Sequence, residues 1–260
     1  ITNTHTPETT EISGNKIWDD ANNQDGIRPA EIIVNLLADG EQIQSKTVTA
    51  DNNWAYSFTD LPKYAKGAEI VYTVTENAVE GYEAKVNGNN ITNTHTPETT
   101  EVNGSKTWDD NDNQDGKRPE KIVINLLAND EIVRSQEVTA DNNWTYSFTD
   151  LPKYANGQEI EYTVSEAAVA DYTASYDGFN ITNTHTPGKV SASVKKVWND
   201  NDDQDGKRPE SITVSLLADG KATGTTVTLN EANKWSDTVT DLPEKADGKA
   251  IVYTWKEENV

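Results

Sequence analysis

Gly14-Asn15-Lys16-Ile17-Trp18-Asp19-Asp20 decides the reading of this chain. The stretch reads as a β-strand, whose side chains alternate between two faces, so Ile12, Gly14, Lys16 and Trp18 fall on one face. A lysine therefore stands in register with apolar neighbours, where an amine is costly unless neutralised or paired. The pattern returns as Val102-Gly104-Lys106-Trp108 and as Ala192-Val194-Lys196-Trp198. Each repeat has a use for the amine.

The repeats extend well beyond this strand. Thr-Asn-Thr-His-Thr-Pro begins at 2, 92 and 182, Asp-Asn-Asn-Trp at 51 and 141, and Asp-Leu-Pro at 60, 150 and 241. A spacing of about ninety residues suits a row of small domains rather than a solenoid. The first unit is expected over 11–97, the second over 98–187 and the third over 188–260. Residues 1–10 copy 91–100 and read as the closing strand of a preceding domain. Within the first unit, Asp19–Gly26 is a polar loop rich in turn formers. Ile32, Val34 and Leu36 alternate as a second strand, and Asp39-Gly40 signals a hairpin leading to a strand from Ile43 to Val48. Trp54, Tyr56 and Phe58 give a strand that Asp60-Leu61-Pro62 is expected to break. Ile70, Tyr72, Val74 and Glu76 share an inward face, as do Ile160, Tyr162, Val164 and Glu166. In the last strand, Ile91 and Asn93 oppose Thr92 and Thr94. Short strands, frequent turns and no helical period predict an all-β sandwich.

The 260 residues carry a formal charge of −22, which argues against nucleic acid and anionic membrane surfaces as partners. No apolar run is long enough to span a bilayer. The chain has neither Cys nor Met, so no disulfide can staple these small units. The lack of Cys fits an exported bacterial protein that folds without oxidative help, and the lack of a starting Met fits a piece of a longer one.

Each complete unit thus sends a Lys, a Glu and an Asn inward: Lys16, Glu76 and Asn93, then Lys106, Glu166 and Asn183. Two accounts fit. A neutral amine can attack a carboxamide carbon, with a buried carboxyl group polarising the amide oxygen and shuttling protons, and with contact supplying the effective molarity. Alternatively, Lys and Glu form a buried ion pair whose hydrogen bonds Asn completes. Alternation alone leaves both open.

GNKIWDD, the NQDG(I/K)RP loop, YTV(T/S)E and ITNTHTP, in that order, resemble the Cna B-type domains of Gram-positive surface adhesins and pili. The resemblance covers essentially the whole chain. It implies a transthyretin-like or reverse immunoglobulin-like β-sandwich, closed by a spontaneous Lys–Asn isopeptide bond that an acidic residue assists. Carried over by motif, the bonds are Lys16–Asn93, assisted by Glu76, and Lys106–Asn183, assisted by Glu166. In the third unit Lys196 and Glu257 match, but the asparagine would lie beyond Val260. Lys196 is therefore unpaired in this chain, and Asn3 is a candidate donor from the orphan strand.

Other features carry less. Asn111–Gly116 and Asn201–Gly206 loosely imitate a calcium loop, but Ile122 and Ile212 stand where a twelfth-position Glu is needed. A solvated turn, with Arg28, Arg118 and Arg208 pairing to nearby acids, is the preferred reading. His5, His95 and His185 have no second His nearby to share a metal, and the tryptophans read as core. No cofactor, metal or turnover chemistry is expected. The expected role is a monomeric stalk or spacer in a cell-wall-anchored, exported surface adhesin, its partners being neighbouring domains of the same protein. The alternative is a module that binds a host extracellular matrix protein, and a calcium-stiffened rod is a third reading.

Overall fold

The computed structural model describes residues 1–258. The chain forms two compact units, residues 1–101 together with 148–161, and residues 102–147 together with those from 162 onward.

In the first unit the strands are β1 (Thr9–Asp19), β2 (Glu31–Ala38), β3 (Glu41–Thr49), β4 (Ala55–Pro62), β5 (Tyr64–Ala65), β6 (Ala68–Glu69), β7 (Tyr72–Glu76), β8 (Glu83–Asn87) and β9 (Asn90–Thr94). One sheet has the order β4-β1-β9-β8 and the other β3-β2-β7, with β5-β6 as a small separate hairpin. Each sheet has one apolar face, and burying both faces together makes a sandwich. Ile32, Val34, Leu36, Val48 and Val74 from the three-stranded sheet form one core with Tyr56, Phe58, Leu61 and Ile91 from the other. The expected all-β sandwich is what these strands build. β1 and β9 run parallel, with Lys16 opposite Ile91 and Trp18 opposite Asn93. The strands β1–β4, β2–β3, β2–β7 and β8–β9 pair antiparallel.

Two local expectations are corrected. Asp-Leu-Pro does not break β4: the register shifts between Thr10 and Ile12, with Thr10 opposite Leu61 and Ile12 opposite Phe58. This is a β-bulge, with Asp60 at φ 58° absorbing the extra residue. The bulge turns Leu61 back into the core. Trp54 precedes β4 rather than lying in it, and Asn53 and Trp54 are both left-handed, at φ 53° and 59°. A tryptophan at positive φ is uncommon. Here it aims the Trp54 carbonyl at β1, where it accepts the Lys16 amide hydrogen bond at 2.8 Å.

The loop after β1 is closed by its own residues. The Asp20 carboxylate is buried and accepts Arg28 Nε at 3.0 Å, Arg28 Nη2 at 2.6 Å, Tyr82 Oη at 2.9 Å and the Asn23 amide at 3.0 Å. Arg118 does the same to Asp110, and Arg208 to Asp200. Among the described residues no group of three or more His, Asp or Glu is placed to hold a metal ion.

The second repeat supplies β10 (Thr99–Asp109), β11 (Lys121–Ala128), β12 (Glu131–Thr139), β13 (Thr145–Pro152), β14 (Tyr154–Ala155), β15 (Gln158–Glu159), β16 (Tyr162–Glu166), β17 (Thr173–Asp177) and β18 (Asn180–Thr184). The β14-β15 hairpin belongs to the first compact unit. In the second unit β10 pairs parallel with β18, Lys106 facing Ile181, and β11 pairs with β12 and β16. The third repeat supplies β19 (Lys189–Lys195), β20 (Ser211–Ala218), β21 (Lys221–Asn230), β22 (Ser236–Pro243), β23 (Lys245–Ala246), β24 (Lys249–Ala250) and β25 (Tyr253–Glu257). β19 ends four residues before the equivalent of Asp19, and among the described residues it has no parallel neighbour.

Gly14 and Tyr56 form a seat for the turn before β9. A Cβ on Gly14 would stand 1.9 Å from the Asn89 carbonyl oxygen, to which Tyr56 Oη donates. Gly104 and Tyr146 hold the Phe179 carbonyl in the same way. In the third repeat Val194 pairs with Asp237 at the positions where Gly14 pairs with Tyr56, so the seat is absent.

Two outcomes follow from this packing. Gly14→Val forces β9 off β1 and is expected to lower stability by roughly 2 kcal/mol or more, read by denaturant unfolding. Asp20→Ala leaves Arg28 unpaired against Trp18 and is expected to cost about 3–5 kcal/mol. The hydrogen bond from Arg28 holds the Asp20 carboxyl at about 2, below the ordinary 3.8. A depressed acid stabilises the fold above its unfolded pKa, so an acid titration of the wild type should lose stability as pH falls from about 4 towards 2.

Candidate functional site

The interior position of Lys16 has three causes. Strand alternation turns it inward, the Trp54 carbonyl fixes its amide from the β4 side, and β9 covers its other edge. Its side chain has no exposed surface, and the Glu76 side chain, arriving from β7 in the opposite sheet, is 1% exposed. Lys16 Nζ lies 3.4 Å from Glu76 Oε1. Asn93 is fully buried, two residues along β9 from the partner of Lys16 and on the same face. The second repeat repeats this arrangement, with Lys106 Nζ 3.2 Å from Glu166 Oε1 and Asn183 buried on β18.

Lysine and glutamate meet, and the asparagine is buried on the same face, yet their polar atoms are left unsatisfied. Lys16 Nζ, both Glu76 carboxylate oxygens, and Oδ1 and Nδ2 of Asn93 are buried without a hydrogen bond, as are Lys106 Nζ, Glu166 Oε1 and both Asn183 amide atoms. The Lys–Glu distances permit ionic attraction without hydrogen-bond alignment. A stable Lys–Glu–Asn network would be fully bonded, because an orphaned buried polar group costs about 1–3 kcal/mol.

The third repeat serves as an internal comparison. Among the described residues it has no β9 counterpart; Lys196 and Glu257 are partly exposed, and Lys196 Nζ donates to Glu257 Oε1 and Oε2 at 2.8 and 2.9 Å. The pair relaxes to ordinary hydrogen-bond geometry there. Asn3 lies exposed ahead of β1.

Burial lowers the Lys16 amine from 10.5 to about 8, against the opposing pull of Glu76 and Asp20. Lys106 is lowered for the same reason, opposed by Glu166. Burial, and then the Glu76 charge, pushes the Tyr56 hydroxyl up to about 12, so it stays protonated and donates to the Asn89 carbonyl.

A further residue completes the site. Trp18 is more than core: Lys16 Nζ lies 4.2 Å from its ring centroid and Arg28 5.4 Å, while Trp54 and Tyr82 pack edge-on at 5.2 and 5.0 Å. The ring roofs the amine and shuts out water. Trp108 roofs Lys106 at 4.6 Å and Trp198 stands over Lys196 at 4.4 Å. The regular spacing of Trp two residues after Lys is the only sequence signal of this role.

Comparison with known proteins bears on the identity of these repeats. The Cna protein B-type domain family matches residues 12–94, 102–184 and 192–260. The collagen adhesin of Staphylococcus aureus is 42% identical over 351 aligned positions, which cover 98% of this chain and 30% of that protein. The chain therefore spans under a third of that relative. The crystal structure of two B repeat units of the S. aureus collagen binding protein is 40% identical, covering 97% of this chain and 94% of that one with a TM-score of 0.35. A single B repeat unit of the same protein is 45% identical over 69% of this chain and all of that one, with a TM-score of 0.34. This chain belongs to the Cna protein B-type domain family.

Proposed function

We propose that the chain is a run of stalk domains from a cell-wall-anchored surface adhesin, folded over about 11–97, 98–187 and 188–260, and that each complete domain crosslinks itself. The bonds join Lys16 to Asn93 and Lys106 to Asn183. The observation that carries this reading is a lowered amine against a carboxylate in a dry interior, with a buried carboxamide on the same face of the neighbouring strand and the polar atoms of all three unsatisfied. An ion pair completed by Asn would leave the amide bonded.

The chemistry follows from the geometry. With its pKa near 8, about one Lys16 amine in ten is neutral at pH 7. That lone pair attacks Asn93 Cγ while the Glu76 carboxyl group, holding a proton handed over by the amine, hydrogen-bonds Oδ1 and stabilises the tetrahedral centre. The new Nζ–Cγ bond forms, the Cγ–Nδ2 bond breaks and Nδ2 leaves as ammonia, taking the Glu76 proton while Nζ gives one back to Glu76. No oxidant or cofactor is consumed, and each site reacts once. Glu166 performs the same relay between Lys106 and Asn183. Glu257 sits beside Lys196 ready for the same role, should a strand bearing asparagine enter.

The bond closes a loop of about 80 residues, worth about 4–5 kcal/mol by analogy with a disulfide of that span. That is comparable to the stability of a small domain. Repetition of near-identical units suits a spacer. Surface capture of collagen by this chain alone would instead assign it the binding role that the relative's name describes.

The intact mass of the denatured chain tests the crosslinks, since each one removes an ammonia, about 17 Da. Two losses are expected, and Lys16→Ala and Glu76→Ala should each remove one. An unshifted mass leaves only the ion pair.

A further inference from the structure

The histidines and the acidic loops, which play no part in the crosslink, meet at the junctions between repeats. Within the first compact unit, His95 follows β9 and its Nε2 lies 2.8 Å from Asp25 Oδ2, while Nδ1 lies 2.9 Å from the Gly81 carbonyl. Both ring nitrogens face acceptors, the arrangement of an imidazolium that donates twice. The same Asp25 oxygen accepts the Glu98 amide at 2.8 Å. Glu98 is in turn held from the other side, its carbonyl accepting the Lys153 amide at 3.1 Å and its carboxylate accepting Lys153 Nζ at 2.8 Å. One linker residue thus bridges the loop of the first repeat and the β14-β15 region of the second.

A second contact lies beside it. The Gly157 amide, in the turn between β14 and β15, donates to the Gln24 carbonyl at 3.0 Å. The approach is so close that a Cβ on Gly26 would stand 2.4 Å from the Gly157 Cα. Both glycines have positive φ, so glycine is favoured at each by conformation as well as by space.

The whole arrangement recurs within the second compact unit. His185 Nε2 lies 3.1 Å from Asp115 Oδ2, which also accepts the Gly188 amide at 3.1 Å. The Gly188 carbonyl accepts the Glu244 amide at 3.0 Å, and the Gly248 amide donates to the Gln114 carbonyl at 3.1 Å. A Cβ on Gly116 would stand 2.6 Å from the Gly248 Cα. The side chains differ at residue 98 against 188 and 153 against 244, yet the backbone relay is unchanged.

We propose that the Gln-Asp-Gly loop of each repeat is a docking socket for the glycine turn of the repeat that follows, with the Asp–His pair clamping the linker between them. The two uncovered halves support this. Gly67, in the β5-β6 turn, and Gly206, in the third acidic loop, have nothing near their missing Cβ positions. Open grooves lie at both places, one lined by His5, Glu8, Tyr64 and Gly67, the other by Asp203, Gln204 and Asp205. The partner these surfaces fit is another B-type repeat presenting the complementary turn or loop. The clasp makes residues 95–98 a fixed bridge rather than a free hinge.

Amide hydrogen exchange on the full chain tests the clasp, because the chain contains its own controls. Corrected for intrinsic rates, the Gly157 and Gly248 amides should exchange at least about tenfold more slowly than the Gly67 amide, and the Glu98 amide more slowly than that of Glu8. Asp25→Ala should bring the Glu98 amide to the Glu8 rate while Gly188 and strands β1 to β9 keep theirs. His95→Gln, which retains one donor, should have a smaller effect in the same direction. Equal rates at Gly157, Gly248 and Gly67, or a Glu98 amide indifferent to Asp25→Ala in a folded protein, would overturn the proposal.

Discussion

An amine buried with an adjacent carboxylate is the constraint to which the rest of each domain answers. Desolvating two charges roughly cancels their attraction, so the pair by itself adds little stability. What the fold invests in the arrangement is shape. The left-handed Trp54 holds the lysine backbone, Trp18 roofs the amine, and Gly14 with Tyr56 draws the turn before β9 against β1. Together these features set β9, which carries Asn93, against β1, which carries Lys16. The Asn93 side chain is buried with no hydrogen bond to repay it, which is the observation the proposed crosslink accounts for.

The three repeats compare themselves. Where the parallel neighbour is present, β1 and β10 run on to Asp19 and Asp109, and lysine and glutamate are sealed. Where it is absent, β19 stops at Lys195 and the pair becomes a partly exposed salt bridge. The closing strand goes together with a sealed lysine and glutamate that lack the hydrogen bonds seen in the third repeat. The loss of the glycine and tyrosine seat, replaced by Val194 and Asp237, means that a strand entering the third repeat would need a different approach to β19.

Much of this was legible in the sequence, and for identifiable reasons. A period of two is enough to place Lys16, Glu76, Asn93 and their counterparts on inward faces, because both sheets have one dry side. The sandwich class followed from the same alternation. What escaped was set by backbone conformations that ordinary residues seldom adopt. Asp60 in the left-handed region converts an expected strand break into a bulge, and Trp54 leaves its strand for the same reason. No second imidazole lies near the histidines in sequence, so local spacing gives them no role. Their partner is a carboxylate about seventy residues away, which no local pattern reports. The role of Gly14 was likewise invisible, since a close approach to Asn89 exists only once β9 is in place.

The parallel pairing of β1 and β9 gives the proposed crosslink its mechanical sense. A pull along the chain draws β1 back from its first residue and β9 forward from its last. Because the two strands run the same way, that load shears the ladder between them instead of peeling it from one end. Only the short stretch from Lys16 to Asp19 against Ile91 to Thr94 carries this ladder, too few hydrogen bonds to resist for long when each is worth about 1 kcal/mol net. A covalent tie between Lys16 and Asn93 sits across that ladder and would take the load in its place. Force then leaves through His95 to Glu98, the segment clamped by Asp25 and Lys153. A crosslinked domain joined by slack linkers would still yield at every joint, so the proposed clamp complements the proposed crosslink under tension.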